Sequence, residues 1–223
     1  MASKAAATAV AAMMSTSFRS ASRRNWLGYT KNKSRTAGMA YVSTDGSSTG
    51  WHSCVVAPAD APNTLLLRAR HGDMQGTRNV GAEAAGYALG IETLPAGTRR
   101  ATALADFLNA LAFDCGCANA RHPLLVATYA RVAATKAANF PDGLALERIH
   151  HPGHQKDDSW FTQLNRAADH LSSLGEDVSC EVPVDALADL AKGVATCRAR
   201  VATATMATDG GGAAAAGAAD DDR

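Results

Sequence analysis

Four acidic residues stand in four different segments of the sequence, and they are separated by 38, 23 and 63 residues. They are Asp45, Glu83, Asp106 and Asp169. Acids so far apart meet only if a fold brings them together, and clustered carboxylates repel one another unless cations neutralise them. Two divalent ions held about 3.5–4 Å apart by such ligands hydrolyse phosphodiester bonds. The four acids therefore predict a two-metal site, with oxygen ligands that suit Mg²⁺.

The surrounding segments predict the elements that would position these acids. Apolar runs at 39–44, 52–57 and 64–71 are joined by turn-forming residues, which predicts an antiparallel meander of three strands. Two more strands are predicted at 100–105 and 144–150, and helices at 82–94, 107–113, 123–139, 162–173 and 184–200. This order predicts an α/β fold in which helices flank a five-stranded mixed sheet whose first three strands are antiparallel.

Four sequence pieces in this order resemble a type 1 ribonuclease H domain, over about residues 40–175. Asp45 stands in Thr-Asp-Gly-Ser, and Asn79 precedes Glu83 in Asn-Val-Gly-Ala-Glu. The most specific piece runs from His151-Pro152-Gly153-His154-Gln155 to Leu164-Asn165-x-x-Ala168-Asp169-x-Leu171, and it looks most like ribonuclease H domains of retroelements. The resemblance implies a ribonuclease H-like fold.

The resemblance also implies an activity, which is endonucleolytic cleavage of the RNA strand of RNA–DNA hybrids by two Mg²⁺ ions, for which Mn²⁺ can substitute. Metal ligands are then Asp45, Glu83, Asp106 and Asp169, with Asp45 bridging both ions. His151 resembles the family's mobile histidine, which assists proton transfer or product departure. Implied substrate contacts come from Asn79, Gly46 and Ser47. We expect the protein to be a monomer, to bind the hybrid and not to bind a membrane.

Some residues depart from the family pattern. Ala105-Asp106-Phe107 stands where the family has Thr-Asp-Ser, and Val80 and Gly81 replace the polar residues that usually follow Asn79. Taken singly, each acid also fits a turn, a helix cap or a solvated helix face. The alternative is therefore a non-catalytic ribonuclease H-like subunit, nucleic-acid-binding or structural, of a larger and possibly mitochondrial assembly.

Two further motifs suggest other chemistry. His150, His151 and His154 suggest zinc, but no Cys or fourth ligand stands at helical or knuckle spacing. Arg70-His71-Gly72 resembles the motif of histidine phosphatases. That family places the motif after its first strand and needs a second histidine signature, whereas two predicted strands precede it here. We interpret the match as coincidence. The five cysteines form no secretory framework and predict buried thiols in a reduced compartment.

Although the net charge is +1, the charged residues are unevenly distributed along the chain. Residues 1–44 contain seven Lys or Arg and no acid, a composition typical of organelle transit peptides. We predict a transit peptide or a disordered basic arm at 1–37, one domain at 38–205 and a disordered Gly/Ala/Asp tail at 206–223. The predicted location is the mitochondrion, and a plastid is the main alternative. Without a targeting segment the protein would be cytoplasmic or nuclear. No run of about 18 uncharged apolar residues occurs outside Ala-rich sequence, which argues against a membrane span.

Overall fold

The computed structural model describes residues 38–77, 79–116, 120–153 and 155–209, with side chains as far as residue 200. The predicted N-terminal segment, 1–37, lies outside the described residues, as does the predicted tail from residue 210 onward. Among the described residues, no helix has both the length and the apolar surface needed to cross a membrane.

Within the described ranges, six strands form one mixed sheet in the order β5-β4-β1-β2-β3-β6. They are β1 Met39–Gly46, β2 Trp51–Pro58, β3 Thr64–His71, β4 Arg100–Ala105, β5 Ala145–His150 and β6 Val178–Pro183. β1, β2 and β3 form the antiparallel meander, whereas β4 pairs in parallel with both β1 and β5. The predicted fold class is confirmed, but the sheet has six strands and not five.

In the part of the chain that the structure describes, five α-helices flank the sheet: α1 Asn79–Thr93, α2 Leu108–Asp114, α3 Pro123–Asn139, α4 Trp160–Ser173 and α5 Leu190–Asp209. Successive strand residues point to opposite faces of a sheet, so each face has its own core. Tyr41 of β1 belongs to the core under α4 and α5, and its neighbour Val42 belongs to the core under α1, α2 and α3. The protein therefore has a helix–sheet–helix architecture with β1 in the middle.

The unpredicted strand β6 pairs antiparallel with β3 and extends the meander. Without it, β3 would present a row of unpaired backbone groups along the edge of the sheet. The residues after it, Val184–Asp189, form a 3₁₀ turn, and α5 follows. The single helix predicted at 184–200 thus starts later than expected and continues past Thr205 to Asp209.

Candidate metal centre

Three of the four predicted acids meet at the carboxyl ends of two neighbouring strands. Asp45 lies near the end of β1, and Asp106 directly follows β4. Since β1 and β4 are parallel and adjacent, with Thr44 opposite Ala105, their ends lie side by side. Glu83 reaches the same place from the first turns of α1. One carboxylate oxygen from each of these acids lies within 4.8 Å of the other two.

Glycines allow α1 to approach β1 closely enough for this meeting. A Cβ on Gly46 would overlap the backbone of Ala82 and Glu83, and a Cβ on Gly86 would come 2.6 Å from the Asp45 carbonyl oxygen. Gly46 is buried against α1, which favours a packing role for it. Its substrate contact remains a prediction.

Glu83 is unusually placed for a charged group. Its side chain is 7% exposed, and its Oε2 is buried without a hydrogen-bond partner among the described residues. Burial raises the pKa of Glu83 to about 9, and the nearby charges of Asp45 and Asp106 contribute to the rise. In the absence of a cation, Glu83 therefore holds a proton at neutral pH.

Asp45 is held from the opposite side of the sheet. Ser172 of α4 donates a hydrogen bond from Oγ to Asp45 Oδ2 at 2.5 Å. Burial raises the pKa of Asp45 to about 6; the Ser172 hydrogen bond opposes this rise, and the charges of Asp106 and Asp169 add to it. Sequence reasoning did not identify Ser172; its only signal is its position three residues after Asp169, almost one helical turn.

These features fit a divalent cation. The donors are carboxylate oxygens, which Mg²⁺ and Mn²⁺ prefer. Two of the three carboxyl groups have raised pKa values because their charges are buried together, and a cation would remove that cost. The unpartnered Glu83 Oε2 gives such an ion a buried ligand atom.

Asp169, the fourth predicted acid, lies outside this group of three and is exposed on α4. It is nevertheless close enough for its charge to raise the pKa of both Asp45 and Glu83. Two buried contacts fix its helix to the sheet: Ser53 Oγ donates to the Ala168 carbonyl oxygen at 2.6 Å, and Ser43 Oγ contacts Asn165 Oδ1 at 3.5 Å.

His151 directly follows β5 and is buried. Its backbone N–H donates to the Ala105 carbonyl oxygen at 3.0 Å, and its Nε2 lies 3.1 Å from Thr162 Oγ1. Burial lowers the pKa of His151. These contacts favour a histidine that is held in place, and its predicted catalytic role remains a prediction. His154 lies outside the described residues, but the preceding Gly153 lies so near Asp106 that a Cβ there would come 2.7 Å from Oδ2.

The other two predicted substrate contacts, Asn79 and Ser47, are on or next to the elements that carry Glu83 and Asp45, and Ser47 is half-buried. Asn79 is exposed at the start of α1, and Ser47 follows β1, where its Oγ shares a hydrogen bond of 2.8 Å with Thr49 Oγ1. The motif compared with histidine phosphatases ends β3, and its His71 Nε2 contacts the Thr49 carbonyl oxygen at 3.1 Å.

No family model matches the chain, and no curated protein matches it. Solved structures do. An N-terminal RNase H domain from Mycobacterium tuberculosis is 23% identical, with a TM-score of 0.42 over 60% of this chain and 95% of that one. RNase H1 from Halobacterium salinarum is 16% identical, with a TM-score of 0.43 over 60% and 93%. LC11-RNase H1 in complex with an RNA/DNA hybrid is 17% identical, with a TM-score of 0.37 over 59% and 92%. Each of these three solved structures is an RNase H domain or an RNase H1.

Proposed function

We propose that this protein is a metal-dependent endonuclease that hydrolyses the RNA strand of RNA–DNA hybrids. The observation that carries the proposal is the meeting of Asp45, Glu83 and Asp106 within 4.8 Å. They come from a strand end, a helix and a second strand end, and the sheet register and the glycine contacts of α1 support their approach.

Asp45, Glu83, Asp106 and Asp169 would hold two Mg²⁺ ions, or Mn²⁺ in their place. When bound, two ions of this kind supply an activated water and stabilise the leaving oxygen. Asp45 is contacted from both faces of the sheet, by Gly86 of α1 and by Ser172 of α4, and the family resemblance implies that it would serve both ions. Glu83 would release its proton on binding, because a carboxylate ligand must be ionised.

The remaining residues would orient the substrate and handle protons. Asn79 is exposed and Ser47 is half-buried, and both can offer polar contacts to a sugar–phosphate backbone. A histidine of the turn after β5 would assist proton transfer to the departing strand. His151 is the predicted one, although its buried contact with Thr162 restricts its movement.

The alternative function is a non-catalytic ribonuclease H-like subunit that binds nucleic acid or supports a larger assembly. The position of Asp169 outside the group of three acids favours it. The buried, unpartnered oxygen of Glu83 opposes it, because an acid kept at the cost of burial without a ligand would destabilise the fold.

An RNA–DNA hybrid with a labelled RNA strand distinguishes the two functions. We expect the full-length protein to cleave the RNA in Mg²⁺ or Mn²⁺ and to leave 5′-phosphate and 3′-hydroxyl ends. DNA duplex of the same sequence should remain intact, and EDTA should stop cleavage of the hybrid. Binding without cleavage in either metal would support the non-catalytic alternative.

A further inference from the structure

Ser172 connects two of the proposed ligands. Its side chain is 3% exposed on the sheet-facing side of α4. Its Oγ lies 2.5 Å from Asp45 Oδ2 and 2.9 Å from the carbonyl oxygen of Asp169. A hydroxyl group has a single hydrogen to donate. The nearer carboxylate is the stronger acceptor when ionised, so the hydroxyl donates to Asp45 in preference to the Asp169 carbonyl oxygen.

The contact of Ser172 is one of three polar links between α4 and the sheet. Asn165, Ala168 and Ser172 are spaced by three and four residues, so they share one face of the helix. Each meets a polar group of β1 or β2: Ser43, Ser53 and Asp45 respectively. The first two links fix the helix against the sheet, and the third fixes the carboxylate of Asp45 against the helix.

We propose that Ser172 is a positioning residue that ties the Asp45 carboxylate to the turn of α4 carrying Asp169, and so sets the spacing of these two acids for cation binding. The inference rests on the proposed function. With one oxygen of Asp45 held by Ser172, the carboxylate cannot rotate freely, and its charge stays directed toward the cluster. Without the hydroxyl, a cation would have to order the carboxylate itself on binding.

Ser173 provides a matched control. It is the next residue of the same helix, is exposed, and donates from Oγ to the His170 carbonyl oxygen at 2.7 Å. Ser173→Ala thus removes a serine hydroxyl with an intrahelical contact like that of Ser172 but with no contact to Asp45. Ser172→Thr keeps the hydroxyl and serves as the rescue variant.

The test measures Mn²⁺ binding to the full-length protein without nucleic acid, by titration calorimetry, for wild type and the three variants. We expect Ser172→Ala to bind Mn²⁺ about 10- to 100-fold more weakly, as is usual when a residue supporting a metal ligand is lost. Ser173→Ala should match wild type, and Ser172→Thr should recover most of the affinity. In hybrid cleavage, Ser172→Ala should lower kcat and leave KM for the hybrid unchanged.

Two results would overturn the inference, and they are distinguishable. If wild type binds Mn²⁺ and Ser172→Ala binds it equally well at unchanged melting temperature, Ser172 does not position Asp45, while the nuclease proposal stands. If wild type neither binds Mn²⁺ nor cleaves the hybrid, the proposed function fails and the role of Ser172 fails with it.

Discussion

Gly86 of α1 faces the main chain of Asp45 so closely that a Cβ on Gly86 would come 2.6 Å from the Asp45 carbonyl oxygen. Glu83 lies on the same helix, three residues earlier. The distance between α1 and β1 therefore sets the distance between two of the proposed ligands. Glycine permits this distance at position 86 because it has a hydrogen atom in place of a Cβ.

Gly86→Ala should separate Glu83 from Asp45. The obstacle is a backbone atom, which no side-chain rotation can relieve, so α1 must shift. We expect a loss of about 1–3 kcal/mol in the free energy of unfolding from overpacking, offset by about 1 kcal/mol from the better helix propensity of Ala. Metal affinity measured by calorimetry should also fall, because the shift of α1 moves Glu83 away from Asp45.

Gly90→Ala is the control for this change. Its Cβ would meet side-chain methyl groups, Val42 Cγ2 at 2.7 Å and Thr44 Cγ2 at 2.8 Å, and not backbone. We expect it to alter stability without weakening metal binding. Equal loss of metal affinity in both variants would show that the contact at Gly86 has no special importance for the site.

The metal-free protein should lose stability as the pH rises. Burial raises the pKa of Glu83 from its ordinary 4.5 to about 9. A carboxyl group with a higher pKa in the folded state binds more protons there, so the free energy of unfolding decreases through that window. The raised pKa of Asp45 likewise lowers the free energy of unfolding as the pH rises from 3.8 to about 6. Thermal unfolding in EDTA across pH 5–9 should show the decline.

Glu83→Gln isolates this effect, because the amide keeps the shape and does not ionise. The free energy of unfolding of the variant should decline less than that of wild type between pH 6 and pH 9. Added Mg²⁺ should stabilise wild type most at the upper end of that range, where the proton is easiest to displace. Parallel curves for wild type and variant would contradict the raised pKa of Glu83.

The two histidines of the turn after β5 can be separated by mutation. His151→Ala should slow hybrid cleavage by less than about 100-fold, since an assisting histidine does not hold the metals. Its melting temperature should also fall, because Thr162 loses a buried partner. A larger loss from His154→Ala at unchanged melting temperature would assign the catalytic role to His154 and a structural one to His151.

Residues 1 to about 35 should carry the protein to mitochondria and then be removed, because seven basic residues occur before the first acid, Asp45. A fusion of this segment to a fluorescent reporter tests the address, and mass spectrometry of the purified protein tests the removal. Plastid signal would identify the competing address. Diffuse signal with an intact N-terminus would leave a basic arm, whose deletion should weaken hybrid binding and flatten its salt dependence.

The strands that surround the acids could be predicted because their signals are local. β3 and β4 have the predicted bounds, as does α3, which begins at a proline after the capping His122. β6 is as long as β4, but its sequence Val-Ser-Cys-Glu-Val-Pro contains no continuous apolar run. It was missed because it becomes a strand by pairing with β3, which is remote in sequence.

The positions of the acids could be predicted from their settings, but the contacts that hold them could not. The approach of Gly86 to Asp45 depends on how α1 lies across β1, and the Ser172 hydrogen bond joins residues 127 positions apart. The burial of His151 likewise depends on Thr162 of α4. Each of these is a property of packing between elements, for which a single sequence carries no spacing rule.

Cleavage of an RNA–DNA hybrid by wild type and by Asp45→Asn in Mg²⁺ tests the central claim most directly. The variant replaces one charged ligand with a neutral amide of the same shape, and Asp60→Asn, at an exposed turn residue, is its control. We predict Mg²⁺-dependent cleavage by wild type and by Asp60→Asn, and none by Asp45→Asn, because loss of a shared ligand charge disturbs both ions. An Asp45→Asn protein that cleaves at the normal rate, or a wild type that cleaves in EDTA, would contradict the account.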